Sequence, residues 1–380
     1  MHIIKYFFGG VPMYHLKRLW LLLSFPCAAV LISIARSSPS FSEAYAKGFY
    51  YRLSLLVNRI TGLVPFSVSE ILVYIFIVLI VFYIVHNIIK IIKGKTDRAE
   101  TAVKFFANAV CAAGIIFLLY TLNCGINYYR YTFADTCGLN VKPSPKSELV
   151  ELCSSLENRV NGLRPKVKTD KNSVMELSKP SIYDVANEAK KSYDKLNNNY
   201  PLLHSGYSSP KPVYFSKLMS YADITGMFFP FTFESDINTD VPAYTIPATM
   251  CHELSHLRGY MREDEANFIG YLACTKSADN DFRYSGDMLA FAYASSALYS
   301  SDSKAADKIF SGLNGGVKRD LAYNNAYWKQ FEGPVADVSQ KVNDNYLKAN
   351  SQQDGVKSYG RMVDLLLAQQ RAEKSGGSGR

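Results

Sequence analysis

The chain has 380 residues, a formal net charge of +9, and abundant aromatics, with 27 Tyr and 22 Phe. That length allows a membrane segment and one or two domains with a substantial core. The excess charge forms no basic stripe interleaved with aromatics, and no nucleic-acid motif is present, which argues against a nucleic-acid partner.

Three apolar stretches fill the first third. Residues 19–35 lie between Arg18 and Arg36, residues 68–89 run almost without interruption, and residues 105–124 form the third. Each approaches the ~20 residues needed to cross hydrocarbon. Ser33-Ile34-Ala35 resembles a signal-peptidase site, but the long charged start and the two later spans favour an uncleaved anchor. Lys5, Lys17 and Arg18 precede the first span, and Lys90, Lys93, Lys95, Arg98 and Lys104 crowd the connection between the second and third. The positive-inside rule places both regions in the cytoplasm. Residues 36–67 and everything after Cys124 are then extracytoplasmic, on a multi-pass cell-membrane protein. Between the first two spans, Tyr45, Phe49, Leu53, Leu56, Val57 and Ile60 recur at helical spacing. Residues 41–63 therefore read as an amphipathic helix against the membrane surface or the soluble domain.

A polar joint at 136–145 follows the third span. Helical spacing marks 147–163 and 181–196, with a loop at 201–212. The short aromatic and β-branched runs 213–218 and 227–233 predict strands. Residues 236–247 read as a turn-rich approach to the next helix. Beyond it the pattern is helical over 265–276, 282–299, 303–310, 317–330, 335–348 and 356–371. The expected fold is α+β, mostly α: three transmembrane helices in a membrane anchor over 1–124, a soluble domain over 125–372 with a small sheet, and a disordered tail over 373–380. Seven cysteines make no disulfide framework in a chain this long. Cys137, Cys153, Cys251 and Cys274 face the side where a disulfide persists.

The chemistry lies in His252-Glu253-Leu254-Ser255-His256. Two histidines four apart share one helix face and can reach one Zn²⁺. Glu253 stands beside the metal, where it can take a proton from a zinc-bound water. Ile246, Met250, Leu254 and Leu257 mark a buried helix; Pro247 suits its first turn and Gly259 its end. A third protein ligand is needed, and Glu263, Asp264 and Glu265 follow at once. On one unbroken helix, seven residues past His256 would lie ~10.5 Å further along the axis. The chain must turn, and Gly259 is where it can. Glu263 is the expected ligand, because Asn267 lies one turn later on its own face, placed to orient the metal's ligands. No histidine follows His256, so Tyr359 and Arg361 are the candidates to stabilise an oxyanion. Residues 229–233 are the candidate edge on which a peptide would lie beside the metal.

His252-Glu253-x-x-His256-x-x-Gly259, with Arg262-Glu263-Asp264-Glu265-Ala266-Asn267-Phe268, resembles a bacterial domain-of-unknown-function family of three-span, membrane-anchored zinc peptidases. Leu63-Val64-Pro65-Phe66-Ser67 with Glu70 is similar to that family's entry to its second span. Val342-Asn343-Asp344-x-Tyr346-Leu347-Lys348-x-Asn350 and Gly355-Val356-Lys357-Ser358-Tyr359-Gly360-Arg361 are similar to its C-terminal signature. The resemblance implies zinc chemistry on a zincin-like domain and supplies no substrate. Glu263-x-x-Ala266-Asn267 also resembles the second helix of glutamate-type zincins, in which the Glu binds zinc and the Asn supports the site. Here that helix follows HExxH much more closely than in those families. The expected function is therefore a zinc metallopeptidase acting on a peptide or protein substrate. A zinc amidase acting on cell-wall or small-molecule amides, or a zinc-stabilised membrane scaffold or sensor, would use the same residues.

Overall fold

The computed structural model describes residues 19–93 and 98–376. Lys5, Lys17 and Arg18, Lys95, and the end of the tail from 377 lie outside the described residues.

A 3-10 turn (Leu19–Leu23) leads into α1 (Ser24–Ser37). The Ser38 hydroxyl caps α2 (Pro39–Tyr45), and a π turn (Ala46–Tyr50) joins it to α3 (Tyr51–Thr61). Two long helices follow, α4 (Val68–Lys93) and α5 (Arg98–Asn123). Three segments are long and apolar enough to cross a membrane: Trp20–Ser37, Val68–Lys93 and Thr101–Asn123. Ile75 to Phe82 all leave large apolar side chains exposed on α4. Water penalises such a surface and hydrocarbon does not.

The amphipathic segment packs against the soluble domain. Asn58 donates to the Phe233 carbonyl at 2.7 Å, Ser54 bonds the Tyr207 hydroxyl at 2.9 Å, and Tyr50 is fully enclosed. The segment between the first two spans and the domain after the third therefore touch. With three crossings they fall on the same side, so the packing and the span count agree.

After the short α6 (Phe133–Cys137) come α7 (Lys146–Leu163) and α8 (Ile182–Asn197). α7 buries Leu152, Leu156 and Val160; α8 starts at the Ser181 cap and buries Val185, Ala189, Tyr193 and Leu196. Both stripes follow the helical period that the sequence predicts. Next are β1 (Lys211–Pro212), α9 (Ser216–Tyr221), β2 (Gly226–Phe229) and β3 (Glu234–Ile237). The remainder is helical: α10 (Ile246–Leu257), α11 (Glu263–Lys276), α12 (Asn280–Ser301), α13 (Ser303–Gly312), α14 (Gly315–Lys329), α15 (Pro334–Ala349), a 3-10 segment (Gly355–Arg361) and α16 (Met362–Lys374). One apolar core runs from Tyr50 to Leu367, with α10 and α11 in its middle. The fold class is as expected: mostly helical, with one small sheet.

The sheet departs from the sequence expectation in three places. Its order is β1-β3-β2, with β1 parallel and β2 antiparallel to β3. First, 213–218 is not a strand. The Val213 N–H still donates to the Ile237 carbonyl, but the N–H groups of Tyr214 and Phe215 are taken by the Glu70 carboxylate of α4, at 2.8 and 3.0 Å. The ladder ends there and the chain turns into α9. Second, the strand within 227–233 stops at Phe229, and the chain turns before Phe233, which has φ +52°. The free edge therefore belongs to Gly226–Phe229, not to 229–233. Third, the central strand is Glu234–Ile237, which the sequence reading leaves unassigned at 234–235 and marks as turns from 236. All four of its residues are buried. Their polarity hides the strand, because distant partners satisfy it. Glu234 pairs with Lys211 at 2.5 Å and accepts from the N–H groups of Val68 and Ser69 at 3.1 and 2.8 Å. Ser69 also bonds Asp236. Cys137, Cys153, Cys251 and Cys274 are free thiols, so the possible disulfides do not form here.

Candidate metal centre

α10 starts with Pro247 in its first turn, where the missing N–H has no helical partner to lose. Ile246, Met250, Leu254 and Leu257 are buried, which fixes the roll of the helix. Its end is a left-handed glycine cap: Gly259 has φ +83°, and its N–H donates to the His256 carbonyl at 2.8 Å. The segment between the first two spans reaches this turn. The Tyr50 hydroxyl lies 3.2 Å from the carbonyl oxygens of both His256 and Leu257. The Arg130 guanidinium grips Glu43 with two 2.9 Å bonds and lies 4.2 Å over the Tyr260 ring.

α11 returns against α10. A Cβ at Gly270 would lie 3.0 Å from the His252 nitrogen, so glycine permits the close crossing. That crossing brings Glu263 and Asn267 up to the two histidines. The Nε2 atoms of His252 and His256 are 3.0 Å apart, and Glu263 Oε2 lies 3.2 and 3.4 Å from them. One donor atom from each of the three residues falls within 4.8 Å of the others.

The outer nitrogens decide what this cluster can accept. His256 Nδ1 lies 2.8 Å from the Tyr260 carbonyl, and His252 Nδ1 lies 2.8 Å from Asn267 Oδ1. Both partners are acceptors, so each Nδ1 carries the proton and each Nε2 presents a lone pair. Glu263 Oε2 is buried and accepts no hydrogen bond. With both imidazoles neutral, two lone pairs and a carboxylate oxygen thus converge on one point. A cation satisfies that arrangement, and the two nitrogens and one oxygen suit zinc. The electrostatics show the positive charge this cluster calls for, which in the protein alone is a proton on His256. Burial would raise the Glu263 carboxyl, but the two imidazoles outweigh it and hold it down at about 2. Burial would lower His256, but Glu263 outweighs it and lifts the imidazole to about 9.

The neighbouring carboxylates are engaged elsewhere. Glu265 accepts from the Phe133 N–H at 2.8 Å and from Arg262 at 3.2 Å. Asp264 faces Arg361 at 3.8 Å. Glu253 is buried beside β2, where the Phe228 N–H donates to it, and burial raises its pKa. The Tyr359 ring stacks near His252, with centroids 6.4 Å apart and planes 17° apart. Burial and then Glu263 hold the Tyr359 hydroxyl far above its ordinary pKa, so it stays a donor. Arg361 pairs with Asp264 and Asp354 instead of joining the cluster.

Several supporting residues escape sequence reasoning. The Tyr260 contribution is a backbone carbonyl and leaves no side-chain signal. Tyr293 of α12 lies beside Asn267, and Gln352, in the loop after α15, accepts from the Glu263 N–H at 3.2 Å; both are distant in the chain. Gly270 does leave a trace. A glycine inside a helix costs ~1 kcal/mol against alanine, which points to a packing reason.

A family model described as a protein of unknown function, DUF3810, matches residues 45–367. The chain belongs to that family. No curated protein and no solved structure matches the chain.

Proposed function

We propose that this protein is a membrane-anchored zinc hydrolase that cleaves peptide bonds. The convergence of His252 Nε2, His256 Nε2 and Glu263 Oε2, with both outer imidazole nitrogens tied to acceptors, carries the reading. These three residues would hold zinc, with Asn267 and the Tyr260 carbonyl fixing the imidazoles. Zinc bound there supplies a Lewis acid and lowers the pKa of water. Glu253 takes the proton from the attacking water and later hands it to the leaving amine. Tyr359 donates to the developing oxyanion. Arg361 has a different task, holding the 3-10 segment against α11 through Asp264. A peptide is favoured as substrate because β2 runs beside Glu253 and has no further strand on its outer edge among the described residues. An extended chain can add to such an edge. Lys90, Lys93, Arg98 and Lys104, at and around the connection between the second and third spans, support a domain outside the cytoplasm.

Purified protein should carry about one zinc per chain, as a single three-ligand site implies. His252→Ala should lose it, and Glu263→Ala should weaken it more than Asp264→Ala or Glu265→Ala. Glu253→Gln should keep the zinc and abolish hydrolysis of a casein-like peptide. Equal zinc in the wild type and His252→Ala, or full turnover in Glu253→Gln, would reject the reading.

A further inference from the structure

The loop and helix between β1 and β2 expose an apolar face that the metal centre does not use. Tyr214 is 86% exposed and Leu218 61%, with Phe215 and Tyr221 beside them at 50% and 48%. Isolated exposed apolar residues are ordinary; a contiguous group on one short segment marks an interaction surface. This one is fastened to the second candidate span. Glu70 of α4 accepts the N–H groups of both Tyr214 and Phe215, and Tyr74, one turn further along α4, meets the Phe215 ring edge-on at 5.8 Å.

That attachment sets the depth of the face. α4 has 26 residues. A helix of that length is ~39 Å long at 1.5 Å per residue. The hydrocarbon core is ~30 Å thick, so about 9 Å of α4 lies beyond it, shared between its first turn and the Lys90–Lys93 end. Glu70 and Tyr74, two and six residues past Val68, are roughly 3 and 9 Å into the helix, on either side of the hydrocarbon boundary. Whatever packs on Tyr74 and Glu70 sits where headgroups meet acyl chains. Tyrosine, with an apolar ring and a polar tip, favours that layer, and Lys217 is exposed on the same segment to meet lipid phosphate.

We propose that residues 214–221 are a membrane-docking element that inserts Tyr214, Phe215 and Leu218 into the interface of the bilayer crossed by α4. The domain is then held to the membrane by this wedge as well as by its three spans. The face continues directly from the span, so the lipid of that bilayer is its occupant. The inference does not depend on the metal or on the proposed hydrolysis.

The test uses the full chain in nanodiscs, with Leu218→Trp and Tyr214→Trp compared with wild type and with Tyr299→Trp, an exposed site outside the face. The emission added at 214 and 218 should be blue-shifted and should lose most of its intensity when the lipids are brominated in their acyl chains. The emission added at 299 should be quenched by aqueous iodide instead. Iodide quenching at 214 and 218 without lipid quenching would overturn the proposal. Blue-shifted emission that neither quencher reaches would also overturn it, because a protein surface would then cover the face. Both positions are exposed, so the substitutions leave the core untouched.

Discussion

The metal helices and the small sheet stand side by side in one core, yet they are specified in opposite ways. Residues 246–276 carry their instructions locally. A proline starts one helix, a left-handed glycine ends it, and an apolar stripe sets its roll. Residues 211–237 take their shape from distant residues. Glu70 diverts the chain at Tyr214, and the Val68 and Ser69 N–H groups, joined by Lys211 from the neighbouring strand, make a polar strand buriable. A segment whose backbone and side-chain partners are local can be read from its own sequence. A segment whose partners lie more than a hundred residues away cannot.

Four substitutions probe that contrast. The largest effect should come from Glu234→Ala in the sheet. It leaves Lys211 buried and unpaired, which costs about 3–5 kcal/mol. Thermal unfolding in detergent should show a large fall, and Lys211→Met with Glu234→Leu together should recover most of it. A small loss for the single variant would mean that the strand does not depend on the charge paired across the sheet.

Gly270→Ala probes the locally specified region. The added Cβ would crowd the His252 backbone, and overpacking of this kind costs about 1–3 kcal/mol. Because α11 must shift, Glu263 and Asn267 retreat with it. Zinc affinity should fall while helix content by circular dichroism stays the same. Unchanged affinity would show that the close crossing is not what positions the ligands.

The third probe is pH. Burial, reinforced by Glu234, holds the Asp236 carboxyl up at about 7. An unfolded carboxyl of this type titrates near ~3.9. The folded chain therefore binds this proton more tightly. Its stabilising effect is complete below ~4 and is lost as pH rises through about 7. Asp236→Asn keeps the shape and removes the titration. Its melting temperature should decline less between pH 5 and 8 than that of the wild type; parallel profiles would contradict the assignment.

The smallest effect should come from Glu70→Ala, about 1 kcal/mol, because the freed N–H groups of Tyr214 and Phe215 lie at the hydrated headgroup layer, where water can take them. Hydrogen exchange should nonetheless accelerate at these two residues, since their acceptor is gone. Protection equal to wild type would show that something other than Glu70 ends β1.

The membrane helices, the long helices of the domain and the HExxH segment with its glycine stop were legible because each rests on a period or a cap within about twenty residues. The sequence also marked Glu263 as the partner of the two histidines: a residue seven positions past His256 can return to them only through a turn, and Gly259 supplies a residue at ease there. Tertiary structure alone decided the rest. It chose the central strand, because a Glu-Ser-Asp-Ile run is buried only where Lys211 and the start of α4 meet its charges. It turned 213–218 into a turn and a helix, because a carboxylate on α4 took the N–H groups a strand would use. It drew Tyr359 to His252 and Arg361 to Asp264 from the same heptapeptide. Partners that come from separate helices are set by packing, and no local pattern records them.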